Sequence, residues 1–110
     1  MDKGLVKIVL ERAGDYCEAC GGTREEGMAL HHRKLKSRGG KDTAANLMSV
    51  HHKCHNLGTK SIHLNPEWAE SKGFMVASWQ EPHEVPISLP DGGFALLLDD
   101  GTKKRLGEGK

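Results

Sequence analysis

Two short pairs of metal-binding side chains constrain this chain more than any other feature. Cys17 and Cys20 are separated by two residues, and so are His51 and Cys54. That spacing lets one turn present both side chains to a single ion, and two such turns complete a tetrahedron. Four thiolate and imidazole donors with no open position suit a structural zinc. His52 is an alternative fourth donor, although its spacing to Cys54 breaks the two-residue pattern. The composition explains why such a staple is needed. A chain of 110 residues that is 36% hydrophobic and 5% aromatic has little core to bury. Three cysteines are an odd number, so a disulfide framework fits poorly, whereas thiols beside seven histidines fit a metal site in a reducing compartment.

The remaining elements follow from local signals. Asp2 to Ala13 carries Leu5, Val6, Val9, Leu10 and Ala13 at helical spacing, with Asp2 as cap and Gly14 as stop. "DYCEACGG" is a tight, glycine-ended turn. "GMALHHRKL" (27–35) reads as a strand, "KSRGGKDTAAN" (36–46) as a polar loop and "LMSV" (47–50) as a second strand. A helix is expected from Lys53 to Thr59 or Lys60. Asn65 as cap and Pro66 at the first helical position signal another short helix ending at Gly73. "FMVASW" (74–79), "VPISL" (85–89) and "FALLLDDGTKKRL" (94–106) read as strands, the last a hairpin turning at Asp100–Gly101. The prediction is an α+β chain. Residues 1–62 form the stapled unit. Residues 63–110 form a small helix and β appendage, with Trp68 and Trp79 as its core and no chemistry of its own.

Net charge is +1, but its distribution is uneven. Residues 1–65 hold eleven Lys and Arg against seven Asp and Glu, whereas residues 66–110 hold five against eight. From His31 to Lys60 there are seven basic residues and a single acid, Asp42. Such a run is a solvated loop or a phosphate-facing surface, and the histidines beside it favour the second reading. No apolar run approaches membrane-spanning length, and no signal segment is read at the N-terminus. A soluble cytoplasmic protein without a membrane partner is expected.

Taken together, "RAGDYCEACG" and "LHHRKLKSRGGKDTAANLMSVHHKCHN" resemble the HNH endonucleases. That family pattern is a cysteine pair, then His or Asp followed by His, a Gly-Gly loop, Asn-Leu, and a second cysteine pair ending in His. Here Gly39-Gly40, Asn46-Leu47 and His55 fall in that order, Asn46 lying fourteen positions after His32 and His55 nine positions after Asn46. One departure is His51, which stands where the family usually has a cysteine. The resemblance implies a ββα-metal (His-Me finger) core with structural zinc. It further implies hydrolysis of DNA phosphodiester bonds with a catalytic divalent ion.

By resemblance His32 is the general base, His31 and His55 hold the catalytic ion, and Asn46 braces the loop and orients the base. Two imidazoles suit manganese, cobalt, nickel or zinc better than magnesium. Adjacent strand residues point to opposite faces, so His31 and His32 reach one ion together only from a distorted strand; otherwise His31 contributes less. Arg33, Lys34, Lys36, Arg38 and Lys41 are expected to contact DNA phosphates, Arg38 first among them. His63 and His83 read as surface histidines, although His63 lies near enough in sequence to approach the site. Small HNH proteins of this kind look like those of bacteriophages, often encoded near the packaging terminase, which makes terminase subunits possible partners by analogy. The alternative is a non-catalytic, zinc-stapled nucleic-acid-binding module.

Overall fold

A computed structural model describes residues 1–106. Helix α1 (Lys3–Ala13) starts where the Asp2 carboxylate accepts the Gly4 N–H at 3.1 Å. It ends at Gly14, whose φ of 66° suits a residue without a Cβ. Arg12, in its last turn, donates twice to Glu18 at 2.8 Å and also to the carbonyls of Ala44 and Leu47 at 2.7 and 2.6 Å. Glu18 in turn accepts the Ser49 N–H at 3.0 Å. The pair is almost wholly enclosed, and its hydrogen bonds are what make that burial tolerable. Together they lock α1 onto the central hairpin.

That hairpin is β1 (Ala29–His32) against β2 (Leu47–Val50), antiparallel, with Ala29 opposite Val50 and His32 opposite Leu47. β2 spans the predicted residues; β1 is shorter than predicted. Its side chains alternate between buried and half-buried, so His31 faces inward and His32 does not.

After β2 the predicted helix reduces to one π-helical turn, Lys53–Leu57, closed by the Gly58 N–H on the Lys53 carbonyl at 3.0 Å. The segment has one large aliphatic side chain, Leu57, and it lies exposed, so no buried stripe sustains further turns. The chain then doubles back. Ile62 and His63 donate their N–H groups to the carbonyls of Cys54 and His55, at 2.8 and 3.1 Å.

Helix α2 (Pro66–Ser71) forms as predicted, but Asn65 does not cap it. The Asn65 amide instead donates to the carbonyls of Thr59 and Ser61, tying off the return loop. Residues 74–79 are not a strand. Phe74, Met75 and Val76 are buried, and their backbone N–H groups bond to Ala69 and Arg33. β3 (Ile87–Ser88), β4 (Phe94–Leu97) and β5 (Lys103–Leu106) make an antiparallel sheet in that order. Its last turn passes through Gly101 at φ 91°.

The second half of the chain does not stand apart as an appendage. Met48 and Val50 of β2 share one core with Ile62, Phe74, Ile87 and Leu97. Neither tryptophan is its centre: Trp79 is 84% exposed, and Trp68, also exposed, touches the core only edge-on through Phe74 at 5.7 Å. Residues 107–110 of the expected appendage lie outside the described residues.

Candidate functional site

The first cysteine pair sits on a turn pinched by the Tyr16–Thr23 bridge, with Cys17 N–H on the Gly22 carbonyl at 2.8 Å. Ligand atoms of Cys17, Cys20, His51 and Cys54 all lie within 4.8 Å of one another. His51 Nδ1 is 3.4 Å from Cys20 Sγ and 3.9 Å from Cys54 Sγ. A tetrahedral zinc with ordinary bonds separates nitrogen from sulfur by about 3.6 Å, so the donor set fits. The other ring nitrogen, Nε2, donates to the Thr23 carbonyl at 2.7 Å, which leaves Nδ1 bare and facing the sulfurs. His52 is exposed and outside this group.

The sulfurs sit in contrasting surroundings. Burial opposes ionisation of Cys17, yet N–H donors from Cys20, His51 and Ala19 outweigh it and lower its pKa. Burial, then the neighbouring thiols, push Cys54 up to about 12. A third thiolate here therefore needs a cation's charge.

A second cluster lies next to the first in sequence. His31, His55 and His63 bring one ring nitrogen each within 4.8 Å of the others. The Nε2 atoms of His55 and His63 are 3.0 Å apart. His31 Nε2 donates to the Phe74 carbonyl at 2.7 Å, and His31 Nδ1 is buried with no partner. An orphaned buried nitrogen with its tautomer set from outside is the arrangement a metal ligand needs. Burial, then the neighbouring imidazoles, hold His31 down to about 3, although the Phe74 bond opposes this. Burial and His63 lower His55 as well. Both rings thus keep their lone pairs for a cation. The sequence left His63 among surface histidines; its only signal was its position eight residues beyond His55.

His32 points away from this cluster, as strand alternation requires. Its Nε2 is 2.7 Å from Asp42 Oδ1. Asn46 is buried. Its side chain accepts from the Lys34 N–H at 2.7 Å and donates to the carbonyls of Lys34 and Lys41 at 3.1 and 2.9 Å, not to His32. It clamps the loop to the end of β1 without touching the ring.

The basic residues divide sharply. Arg33, expected against phosphate, is fully buried, and its guanidinium donates to the carbonyls of Gly73, Ala45, Pro82 and Val85 at 2.6–3.0 Å. It pins the second half of the chain to β1 and cannot reach DNA. Burial lowers its pKa to about 9, still charged at neutral pH. Lys34 is also buried, its Nζ on the Gln80 carbonyl at 3.0 Å. Arg38 is half-buried between the Val76 carbonyl and Glu70. Only Lys36 and Lys41 of the five are exposed.

These two donor sets can hold two different ions, a closed sulfur-rich one and a nitrogen-only one with fewer protein ligands. Among the described residues no helix is long and apolar enough to cross a membrane. No curated protein and no solved structure matches the chain. The HNH endonuclease family model does match, over residues 17–61, a span that contains Cys17, Cys20, His51 and Cys54 together with His31, His32, Asn46 and His55. Over that segment the chain is similar to the HNH endonuclease family.

Proposed function

We propose that this protein is a metal-dependent endonuclease that hydrolyses DNA phosphodiester bonds. The observation that carries the reading is the three-imidazole cluster of buried His31, half-buried His55 and exposed His63, with His32 next to His31 on β1. Cys17, Cys20, His51 and Cys54 would hold a structural zinc; His31, His55 and His63 would hold a catalytic divalent ion. When bound, that ion would neutralise charge developing on the scissile phosphate and the leaving oxygen. An all-imidazole set suits manganese, cobalt, nickel or zinc better than magnesium. His32 accepts the proton of the attacking water, as a general base. Asn46 keeps the 36–46 loop in register with β1. Exposed Lys36 and Lys41 attract the phosphate backbone.

A plasmid-nicking assay across Mg²⁺, Mn²⁺, Co²⁺, Ni²⁺ and Zn²⁺ tests this. Nicking by wild type and its loss in His32→Ala and His55→Ala are the expected results. A wild type that shifts DNA yet stays inert with every ion would replace the nuclease with a zinc-stapled binding module.

A further inference from the structure

The single acid in the basic run from His31 to Lys60 is Asp42, and its carboxylate meets His32 Nε2 at 2.7 Å. We propose that Asp42 is the positioning residue for the general base: it holds His32 by Nε2–H and so makes Nδ1 the nitrogen that takes the proton from water. The inference rests on the nuclease reading above.

A His–Asp contact on a free surface loop would carry little weight, but Asp42 is not on a free loop. The Thr43 N–H donates to the Lys41 carbonyl at 3.0 Å, which places Asp42 at the apex of a tight three-residue turn. The same Lys41 carbonyl accepts from Asn46 Nδ2, and Asn46 also holds both backbone groups of Lys34, two residues beyond His32. On the other side of the loop, Gly40 packs so closely on Lys34 that a Cβ there would lie 1.7 Å from the Lys34 carbonyl oxygen. The Gly-Gly step and Asn46 therefore act on the base through Asp42. They fold the loop back on the exit of β1 and deliver the carboxylate to the ring. Lys36, 3.8 Å from the same carboxylate oxygen, and the chain's N-terminal ammonium are the other charged groups acting on Asp42. The His32 hydrogen bond first, and then Lys36, hold the Asp42 carboxyl below the usual carboxylate range.

A carboxylate can only accept, so Nε2 carries the hydrogen and Nδ1 the lone pair. In the reaction the water O–H bond breaks and its proton passes to Nδ1. The water oxygen bonds phosphorus as the bond from phosphorus to the leaving oxygen breaks; the leaving oxygen takes a proton from solvent, and the imidazolium returns its own to solvent. The positive ring formed on the way sits against Asp42, an arrangement that both orients and stabilises it.

Two measurements on the zinc-loaded full chain test the assignment. Long-range ¹H–¹⁵N spectra of ¹⁵N-histidine protein should show His32 as the Nε2–H tautomer, and Asp42→Ala should lose that preference. In the nicking assay Asp42→Ala should lower kcat about 10- to 100-fold, with KM within about twofold, and Asp42→Glu should recover part of the loss. If Asp42→Ala fails to hold its zinc, Asp42→Asn serves instead, keeping an acceptor but no charge and lowering kcat about tenfold. An unchanged kcat in these variants, while His32→Ala is inactive, overturns the role of Asp42 and leaves the nuclease standing. An Nδ1–H tautomer in wild type overturns it as well. An inert wild type overturns the nuclease reading and the catalytic role with it.

Discussion

The His63 N–H donates to the His55 carbonyl at 3.1 Å, and the two Nε2 atoms stand 3.0 Å apart. The return of the chain after the π turn thus brings a third imidazole to His31 and His55. His63→Ala should weaken Co²⁺ or Ni²⁺ binding at the cluster at least about 10- to 100-fold, while the tight zinc count stays the same. Absorbance titration with Co²⁺ measures both. Wild-type affinity in the variant would reduce the site to two imidazoles.

His55 follows Cys54 directly, so the staple and the second cluster share one turn. Removing zinc with a chelator should abolish nicking, and Mg²⁺ alone should not restore it, because the turn that places His55 loses its anchor. His51→Cys should keep the zinc with four sulfurs, whereas His51→Ala should lose it. Atomic absorption on the purified variants, paired with the nicking assay, decides. Recovery with Mg²⁺ alone would contradict the coupling.

The basic residues should separate by burial rather than by sequence position. Arg33→Ala strands four backbone carbonyls that the guanidinium satisfied and should cost about 3 kcal/mol or more in urea denaturation at fixed zinc. Lys36→Ala and Lys41→Ala should leave stability nearly unchanged. Each should instead reduce the salt dependence of DNA binding by about one ion in a fluorescence-anisotropy series.

Acid should act through His31. Its pKa is about 3 in the folded chain against 6.5 for an ordinary histidine. Between those values the unfolded chain binds a proton at this position and the folded chain does not, so stability falls as pH falls. The loss begins below pH 6.5 and steepens toward about 1.4 kcal/mol per pH unit. Against His31→Leu, wild type should lose ground at that slope between about pH 6 and pH 4, in urea titrations at stoichiometric zinc. Parallel pH dependences would mean that His31 is not held neutral.

What the sequence determined by itself is what short-range physics controls. The cap at Asp2 and stop at Gly14, the β2 strand, the turn at Gly101 and the two-residue spacing of the ligand pairs act within a few residues of themselves. Order along the chain was enough to link these pairs with His31, His32, Asn46 and His55. The tertiary structure decided which nitrogens meet and which charges stay outside. His63 joins the cluster through a backbone bond closed by the return loop. Asp42 reaches His32 because the loop is clamped to β1 by Asn46. Arg33 and Lys36 read alike in a basic run, yet one is enclosed by carbonyls 12 to 52 residues away and the other faces solvent. A residue type fixes what hydrogen bonds a side chain can make; only the packing of distant segments determines whether protein or solvent provides them.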